Sequence, residues 1–444
     1  MPKELVSEKW HPARLIPISG IGGRDEQERR AASAFLAVLR AVREFQRAIL
    51  RPLGAPMGTF ETYTEVPFEL PGKKNLRVDG LIEARRGGKT WRMLVEVKTG
   101  TAEHTTEQVE NYLDIVREYK LDGLLTIGNQ IAPLTGDHPV KVDGRRFKSP
   151  PLFHLSWVRI LSMALMARDH TGVSDPDQAW ILSELIRYLE YSGSGALAFD
   201  DMGPDWVSTR EAVRTGTIRP KDSGVQDLAR RWDQLIQYIC LRMSVQLGSD
   251  VRPVLPRKEQ DDISLRLEAL TKELTTANTL GGSIRIPNAV GPIQIAADLR
   301  AMTGTASVQL DAPDMKQGRA RLNWLTRQLK DAPEDTRIDV AFVQSRTTAS
   351  ALLREVLEDS SVVLAAAPKP PRAFEVALTR HLGSKRKAGR GGFITDTVEL
   401  VENSYGQIVQ GLREWNAPPP RLRSSESELD EDQEVEPTVP ASAT

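Results

Sequence analysis

The chain has 444 residues, of which 40% are hydrophobic and 27% are charged, and this length suggests two or three domains of about 100 to 200 residues each. No apolar run approaches the roughly 20 residues of a membrane-spanning helix, the N-terminus lacks the apolar core of an export signal, and the single cysteine, Cys240, excludes an internal disulfide and a zinc site built from several thiolates. We therefore expect a soluble, cytoplasmic protein without a membrane partner.

The formal charge of −1 is distributed unevenly along the chain. The last 29 residues, 416–444, contain two arginines and seven acidic residues, which leaves a net charge of +4 on residues 1–415. A mildly basic body is compatible with a nucleic-acid partner, but so small an excess favours one only weakly. The tail is rich in proline and acidic residues and lacks apolar periodicity, so we predict that residues 416–444 are a disordered acidic tail.

The first third of the chain alternates between helical and strand-like patterns. Residues 24–50 repeat apolar side chains at helical spacing, which predicts one long amphipathic helix. Three strand-like stretches follow, GTFETYTEVPFEL, LRVDGLIEAR and TWRMLVEVKTG, and the turn-forming clusters between them predict consecutive antiparallel strands. A helix over residues 105–119, a strand at LDGLLTIGN and a candidate fifth strand at PLFHLSW complete the order. This order is typical of an α/β domain, a mixed sheet flanked by helices, over residues 1–160.

The remaining sequence divides into a helical region and a second domain. Residues 161–250 contain helical patterns such as QAWILSELIRYLEY, which ends at the helix breaker SGSG. Residues 251–415 contain the strand-like stretches SIRIPN, PIQIAADLR and ASVQLDAP, followed by a helix and a further strand. We predict an α+β domain of unknown role there, and we expect any protein partner or homo-oligomer contact to use it.

Charged residues interrupt the most apolar of the predicted strands. In TWRMLVEVKTG, Glu96 and Lys98 point to the same side because side chains alternate along a strand. A third charge, Asp79, lies on the preceding strand and is followed by Gly80, which allows a close approach of backbone or ligand. Burial of isolated charges is costly, whereas burial beside a metal ion and a phosphate offsets that cost. Two carboxylates and a lysine at neighbouring strands therefore indicate magnesium-assisted cleavage of a phosphodiester.

The spacing of Asp79 and Glu96-Val97-Lys98, together with the order of elements, resembles the PD-(D/E)xK nuclease superfamily over roughly residues 20–160. One departure is Val78, where the superfamily name has proline. The resemblance implies a restriction-endonuclease-like fold and a DNA-cleaving hydrolase that acts in bacterial defence or repair. It also implies that Asp79 and Glu96 bind Mg²⁺ or Mn²⁺, and that Lys98 positions or activates the attacking water.

Two further parts of the resemblance lie on predicted helices. Members of the superfamily often carry an acidic residue on the first helix, and Glu28 is the better candidate because Glu26 lies on the polar side. RecB-like members carry Q-x-x-x-Y on the helix after ExK, and this chain has Gln108 and Tyr112, one helical turn apart. The resemblance implies that Glu28 completes the metal or water shell, and that Gln108 and Tyr112 orient the substrate or the ExK strand.

Simpler interpretations stay open for the same residues. Glu96 and Lys98 can form a surface ion pair on an edge strand. Glu28 follows Asp25 by three residues, as in a capping box, and Gln108 follows Thr105 in the same way.

A basic, glycine-rich stretch offers a candidate nucleic-acid contact outside the carboxylate region. It can follow a phosphate backbone or be merely solvated. Its candidate residues are Lys385, Arg386, Lys387 and Arg390. A catalytically inactive nucleic-acid-binding or scaffold protein, which recruits a partner through its C-terminal domain, is the alternative function.

Overall fold

The computed structural model describes residues 23–69, 76–132, 138–144, 151–196 and 199–416, together with Ile16. Over these residues the chain is an α/β protein with two separate sheets. The first sheet and its helices comprise α1 (Arg24–Ala41), α2 (Arg43–Leu50), β1 (Thr59–Phe68), β2 (Leu76–Arg86), β3 (Lys89–Val97), α3 (Thr106–Glu118), β4 (Gly123–Gly128), β5 (Leu152–Ser156), α4 (Trp157–Met166) and α5 (Pro176–Glu190).

The first sheet is mixed, with the strand order β1-β2-β3-β4-β5. Strands β1, β2 and β3 pair antiparallel, whereas β4 and β5 join the sheet in parallel. The β2–β3 hairpin turns at Gly87 and Gly88, whose φ values of +55° and +78° suit a two-residue turn that requires positive φ at both positions. The predicted antiparallel triplet, the helix after it and the fifth strand are confirmed.

Helices cover both faces of this sheet. On one face, α1, α2, α4 and α5 pack on side chains such as Met93 and Val95, and Phe35 and Trp157 are buried between them. On the other face, α3 packs through Val109 on a smaller apolar cluster. The C-terminal end of β3 therefore emerges between α1 on one side and α3 on the other.

The prediction of one long helix over residues 24–50 is wrong, because Val42 has an extended backbone (φ −108°, ψ 107°) that separates α1 from α2. Val42 is fully buried. The change of direction brings Phe35 and Phe45 edge to face, with ring centroids 6.3 Å apart. A β-branched residue tolerates the extended backbone, and no glycine or proline marks the break in the sequence.

Strand β2 changes face at Asp79. Val78 belongs to the cluster under α3, whereas Ile82 packs towards α1, although residues four apart share a face in a regular strand. Directly opposite on β1, Glu65 has φ +53°, and the β1–β2 register skips the Glu65–Asp79 position. The close approach allowed by Gly80 is made by α1, since a Cβ there would lie 2.5 Å from Leu36 Cδ1.

The second sheet has seven strands in the order β11-β10-β12-β9-β8-β7-β6, and every pair is antiparallel. Its elements are α6 (Trp206–Thr215), α7 (Ser223–Leu247), β6 (Arg252–Pro253), α8 (Arg257–Asp261), α9 (Ile263–Ala277), β7 (Thr279–Arg285), β8 (Ile293–Asp298), β9 (Thr303–Asp311), α10 (Gly318–Gln328), β10 (Arg337–Phe342), β11 (Thr348–Leu352), α11 (Leu353–Glu358), α12 (Ser361–Leu364), β12 (Pro371–His381) and α13 (Phe393–Gln407).

The predicted helical region, residues 161–250, is shared between the two cores. Helices α4 and α5 pack with the first sheet, whereas α6 and α7 belong to the apolar cluster of the second sheet. The proposed domain boundaries stay predictions, and the predicted acidic tail lies outside the described residues apart from Asn416. Among the described helices, none combines the length and the hydropathy that crossing a membrane requires.

Candidate active site

The end of β3 brings the predicted charged residues together. Glu96 is the penultimate residue of β3 and is 3% exposed. The β2–β3 ladder ends at the Gly80–Val95 pair, so the next free N–H, that of Val97, donates to Asp79 Oδ2 instead, at 2.8 Å. The Asp79 carboxylate is thereby fixed beside the strand that carries Glu96.

Lys98 joins two of the carboxylates. Its Nζ lies 2.9 Å from Glu96 Oε1 and 3.3 Å from Glu28 Oε2, and the side chains of all three residues are largely buried. Glu28 reaches this position from α1, whose first turns pass over the end of β3. The alternative of an exposed ion pair on an edge strand is wrong, because β3 is an inner strand and Glu96 is enclosed.

Helix α3 contributes the glutamine and the tyrosine. Gln108 Nε2 donates to Glu96 Oε1 at 2.6 Å, and it lies 3.5 Å from the Tyr112 hydroxyl. Thr105 caps the helix by accepting from the Gln108 backbone N–H at 3.2 Å, but the Gln108 side chain turns to Glu96. Only the threonine half of the expected capping box is therefore present.

The alternative interpretation that Asp25 and Glu28 form a capping box is wrong. Helix α1 begins at Arg24 with Gly23 as its N-cap, and no side chain caps it. Asp25 thus lies inside the helix, and Glu28 is directed to Lys98 instead of its own helix start.

Burial controls the proton affinities of these groups. It raises the pKa of Glu96 to about 8, with a further contribution from the neighbouring Asp79 carboxylate. Burial also raises the pKa of Asp79. For Lys98, burial alone would lower the pKa, but attraction to Glu96 and Glu28 raises it, so that the amine stays an ammonium at neutral pH. Burial raises the pKa of the Tyr112 hydroxyl as well.

Two carboxylate oxygens in this cluster are buried without a hydrogen-bond partner, namely Glu28 Oε1 and Glu96 Oε2. Such orphaned acceptors are rare in folded proteins, and each needs an explanation. Within the described ranges, no group of three or more His, Cys, Asp or Glu side chains has an arrangement that could hold a metal ion. The ammonium of Lys98 lies between the two glutamates.

Several residues that the sequence did not single out hold Lys98 in place. The Lys98 N–H donates to Ile127 O on β4 at 2.8 Å, and Trp157 Nε1 donates to Lys98 O at 2.9 Å. The two following residues are fixed by Gln27, next to Glu28, and by the loop after α5. That loop is the SGSG stretch, which sequence reasoning treated only as a helix breaker.

Three histidines cluster around Thr126 on β4, of which His104 is buried and His138 and His154 are half-buried. Its hydroxyl lies 2.7 Å from His138 Nε2 and 2.9 Å from His154 Nδ1, and His104 contacts the His154 ring edge to face. Burial lowers the pKa of His154 to about 3 and those of His104 and His138 to about 4. These rings are therefore neutral at pH 7. Their sequence separations gave no sign of the cluster.

The basic residues predicted to contact nucleic acid lie in the loop between β12 and α13. Lys385, Lys387 and Arg390 are exposed, and Arg386 pairs with Asp201 at 3.0 Å. The loop is tied to residues 200–202 by backbone hydrogen bonds, including Ala388 N–H to Asp200 O at 2.7 Å. No described hydrogen bond or ion pair joins these four residues to the carboxylate cluster, and their role stays a prediction.

A cavity of about 700 Å³ lies on the second sheet and includes none of the clustered residues. A groove of about 510 Å³ runs between α1 and β1, where Thr64 pairs with Gly80 beside Asp79. Comparison of the chain with protein-family models, with curated proteins and with solved structures gave no match.

Proposed function

We propose that this chain is a divalent-metal-dependent nuclease of the PD-(D/E)xK type, with a restriction-endonuclease-like first sheet and DNA as its substrate. The observation that carries the proposal is the buried cluster at the end of β3. Asp79, Glu96 and Glu28 converge there with Lys98, and Gln108 binds the same glutamate. Burial of such a set of charges costs folding stability, and buried ionisable groups with shifted pKa values cluster at functional sites.

The donor chemistry fits a hard divalent cation. Mg²⁺ and Mn²⁺ prefer carboxylate oxygens, and Glu28 Oε1 and Glu96 Oε2 are buried acceptors without partners. Glu96, Glu28 and Asp79 are the residues that would hold the ion, and their side chains would have to rearrange to do so, because Lys98 lies between the two glutamates and the described residues contain no metal-binding arrangement. When bound, such an ion supplies positive charge next to the scissile phosphate.

The residues of the chain then have separable roles in hydrolysis. Water attacks phosphorus in line, a P–O bond of the backbone breaks, and negative charge grows on the phosphoryl and leaving oxygens; the proton that the water loses ends on the leaving oxygen. Lys98, held as an ammonium by Glu96 and Glu28, orients the water and stabilises that charge; it does not remove a proton. Gln108 fixes the Glu96 carboxylate through its 2.6 Å hydrogen bond, which keeps the acid aimed at the reacting centre.

Cleavage assays with defined substrates test this proposal. Purified protein is incubated with supercoiled plasmid, linear duplex and single-stranded DNA in Mg²⁺, in Mn²⁺ or in EDTA. We expect metal-dependent cleavage, slowed at least about 100-fold by Asp79→Ala and by Lys98→Ala. Lys89→Ala is the matched control, because Lys89 is an exposed lysine at the other end of β3. Absence of cleavage on every substrate, or cleavage that both active-site variants leave unchanged, would refute the proposal.

A second candidate function is a nucleic-acid-binding scaffold without catalysis. It is favoured by the position of Lys98, whose ammonium occupies the space between Glu28 and Glu96, and by the absence of a metal-binding arrangement among the described residues. Calorimetric titration with Mg²⁺ and Mn²⁺ separates the two functions. Binding that Glu96→Ala abolishes supports the nuclease, and no binding by the unmodified chain supports the scaffold.

A further inference from the structure

The segment after Lys98 is tied to three distant parts of the chain. Thr99 Oγ1 donates to Gln27 Oε1 at 2.9 Å, and Gln27 Nε2 donates to Gly193 O at 2.9 Å. The Gly100 N–H donates to Gly195 O, also at 2.9 Å. Asn129 Nδ2 closes the arrangement by donating to Gly100 O at 2.8 Å and to Gly195 O at 2.7 Å.

We propose that Gln27, Thr99 and residues 193–195 form a clamp that positions Lys98 against Glu28. The inference rests on the proposed function, and it extends the active site to a loop almost 100 residues beyond the ExK motif. The clamp residues do not contact the reacting atoms, so they are positioning residues.

The clamp acts on Glu28 and Lys98 because each of them has a clamp residue as its neighbour in the chain. Gln27 immediately precedes Glu28, and Thr99 immediately follows Lys98, so their 2.9 Å hydrogen bond lies beside the 3.3 Å contact between Lys98 Nζ and Glu28 Oε2. Thr99 is fully buried, which leaves no water to replace its hydroxyl. Loss of this hydrogen bond therefore frees the two charged side chains to move apart.

Gly195 shows how closely the loop fits. Its φ of +79° favours glycine, and a Cβ at this position would lie 2.5 Å from Gln27 Cδ and 2.8 Å from Thr99 Cβ. Gly172 has the same φ of +79°, but a Cβ there would meet nothing within 4 Å. Alanine at Gly172 therefore measures only the backbone cost of a side chain at positive φ. Alanine at Gly195 adds to that cost the displacement of Gln27 and Thr99.

The test compares two pairs of variants in the full-length chain. Thr99→Val removes the hydroxyl at nearly constant volume, and Thr99→Ser keeps it. Gly195→Ala places a Cβ against Gln27 and Thr99, and Gly172→Ala is its control. We expect Thr99→Val and Gly195→Ala to lower kcat at least about 10-fold with KM unchanged, as for lost transition-state contacts, and Thr99→Ser and Gly172→Ala to stay within about twofold.

Rescue by the conservative variant separates positioning from mere stability. Because Thr99→Ser keeps the hydroxyl that donates to Gln27 Oε1, its kcat should stay near that of the unmodified chain, while kcat of Thr99→Val falls at a temperature where circular dichroism shows both variants fully folded. Equal kcat values for these two variants would overturn the clamp. If Thr99→Val does not fold, the Gly195→Ala and Gly172→Ala pair decides by the same criteria.

Hydrogen exchange tests the clamp without any cleavage. If the unmodified chain cuts no substrate, the proposed function fails, and the clamp is judged by exchange of the Gly100 amide, which donates to Gly195 O. At least about 10-fold faster exchange in Thr99→Val and Gly195→Ala, with both controls unchanged, supports the clamp as a structural unit. Equal protection in all four variants rejects it.

Discussion

Glu96 and Glu83 are two buried glutamates of the same sheet with opposite electrostatic environments. They are 3% and 4% exposed. Glu83 accepts from Arg92 Nε at 2.6 Å and pairs with Arg85, and these contacts lower its pKa. Burial and Asp79 raise the pKa of Glu96 to about 8. We predict that Glu96→Gln stabilises the chain at neutral pH, whereas Glu83→Gln destabilises it.

The size of the effect follows from the pKa of Glu96. Its folded value of about 8 exceeds the ordinary value of 4.5, so its stabilisation is complete below pH 4.5 and is lost as pH rises to 8. Each pH unit in that window lowers the free energy of unfolding by about 1.4 kcal/mol. At pH 7 the loss is therefore about 3 kcal/mol, which Glu96→Gln avoids because the amide has no proton to release. At pH 4.5 the two proteins should be nearly equal in stability.

The pH dependence of stability has the opposite sign for Glu83. Its lowered pKa gives stability that is present above pH 4.5 and lost as pH falls. Because both arginines are about half exposed, solvent screening limits the loss in Glu83→Gln to about 1 kcal/mol at pH 7.

Urea denaturation at pH 5 and pH 7.5, followed by circular dichroism, measures both variants against the unmodified chain. The stability difference for Glu96→Gln should grow with pH, while cleavage activity falls with the loss of the carboxylate. If Glu96→Gln is destabilised at pH 7.5 as much as Glu83→Gln, the contact between Glu96 and Lys98 is a favourable structural ion pair, and the reasoning is refuted.

Two further predictions concern the surroundings of the site, and a third concerns the basic loop between β12 and α13. Trp157→Phe keeps an aromatic ring but replaces the larger, buried indole and loses its hydrogen bond to Lys98 O; we expect at least about 1 kcal/mol of lost stability and slower cleavage, measured by thermal denaturation and by kcat. The pKa of His154 is lowered to about 3, so its stabilisation is present above pH 6.5 and lost below it; urea denaturation from pH 6.5 to pH 5 should show a loss that His154→Phe reduces. Lys387→Glu should weaken DNA binding and flatten its salt dependence, measured by fluorescence anisotropy with the Lys98→Ala variant as background.

The first sheet was largely predictable because its signals are local. Alternation in β1 to β3, two glycines in the β2–β3 turn and helical periodicity in α3 each reside in a short window of sequence. The break at Val42 was not, because it depends on the packing of α2 against α4 and no local breaker accompanies it. Tertiary packing decided that position against a continuous helical pattern.

The candidate site divides in the same way. The positions of Glu96 and Lys98 follow from strand periodicity, and that of Gln108 follows from its place in the first turn of α3. That of Asp79 does not, because β2 changes face there. The clamp and the histidine cluster join residues far apart in the chain, so their spacing in sequence carries no signal. The SGSG sequence is typical of the end of a helix. Only the structure shows that its carbonyl groups accept hydrogen bonds from Gln27 and Gly100.

The environment of the site bears on the choice between nuclease and scaffold. A scaffold gains nothing from a buried carboxylate with a raised pKa and an unpartnered oxygen, since an apolar or amide side chain of similar volume would be more stable there. In an enzyme, the same instability is expected at the site where charge must be exchanged with substrate or metal. A stability gain in Glu96→Gln together with a loss of cleavage would therefore favour a catalytic role. Removal of one partner from a structural ion pair would instead lower the stability of the folded chain.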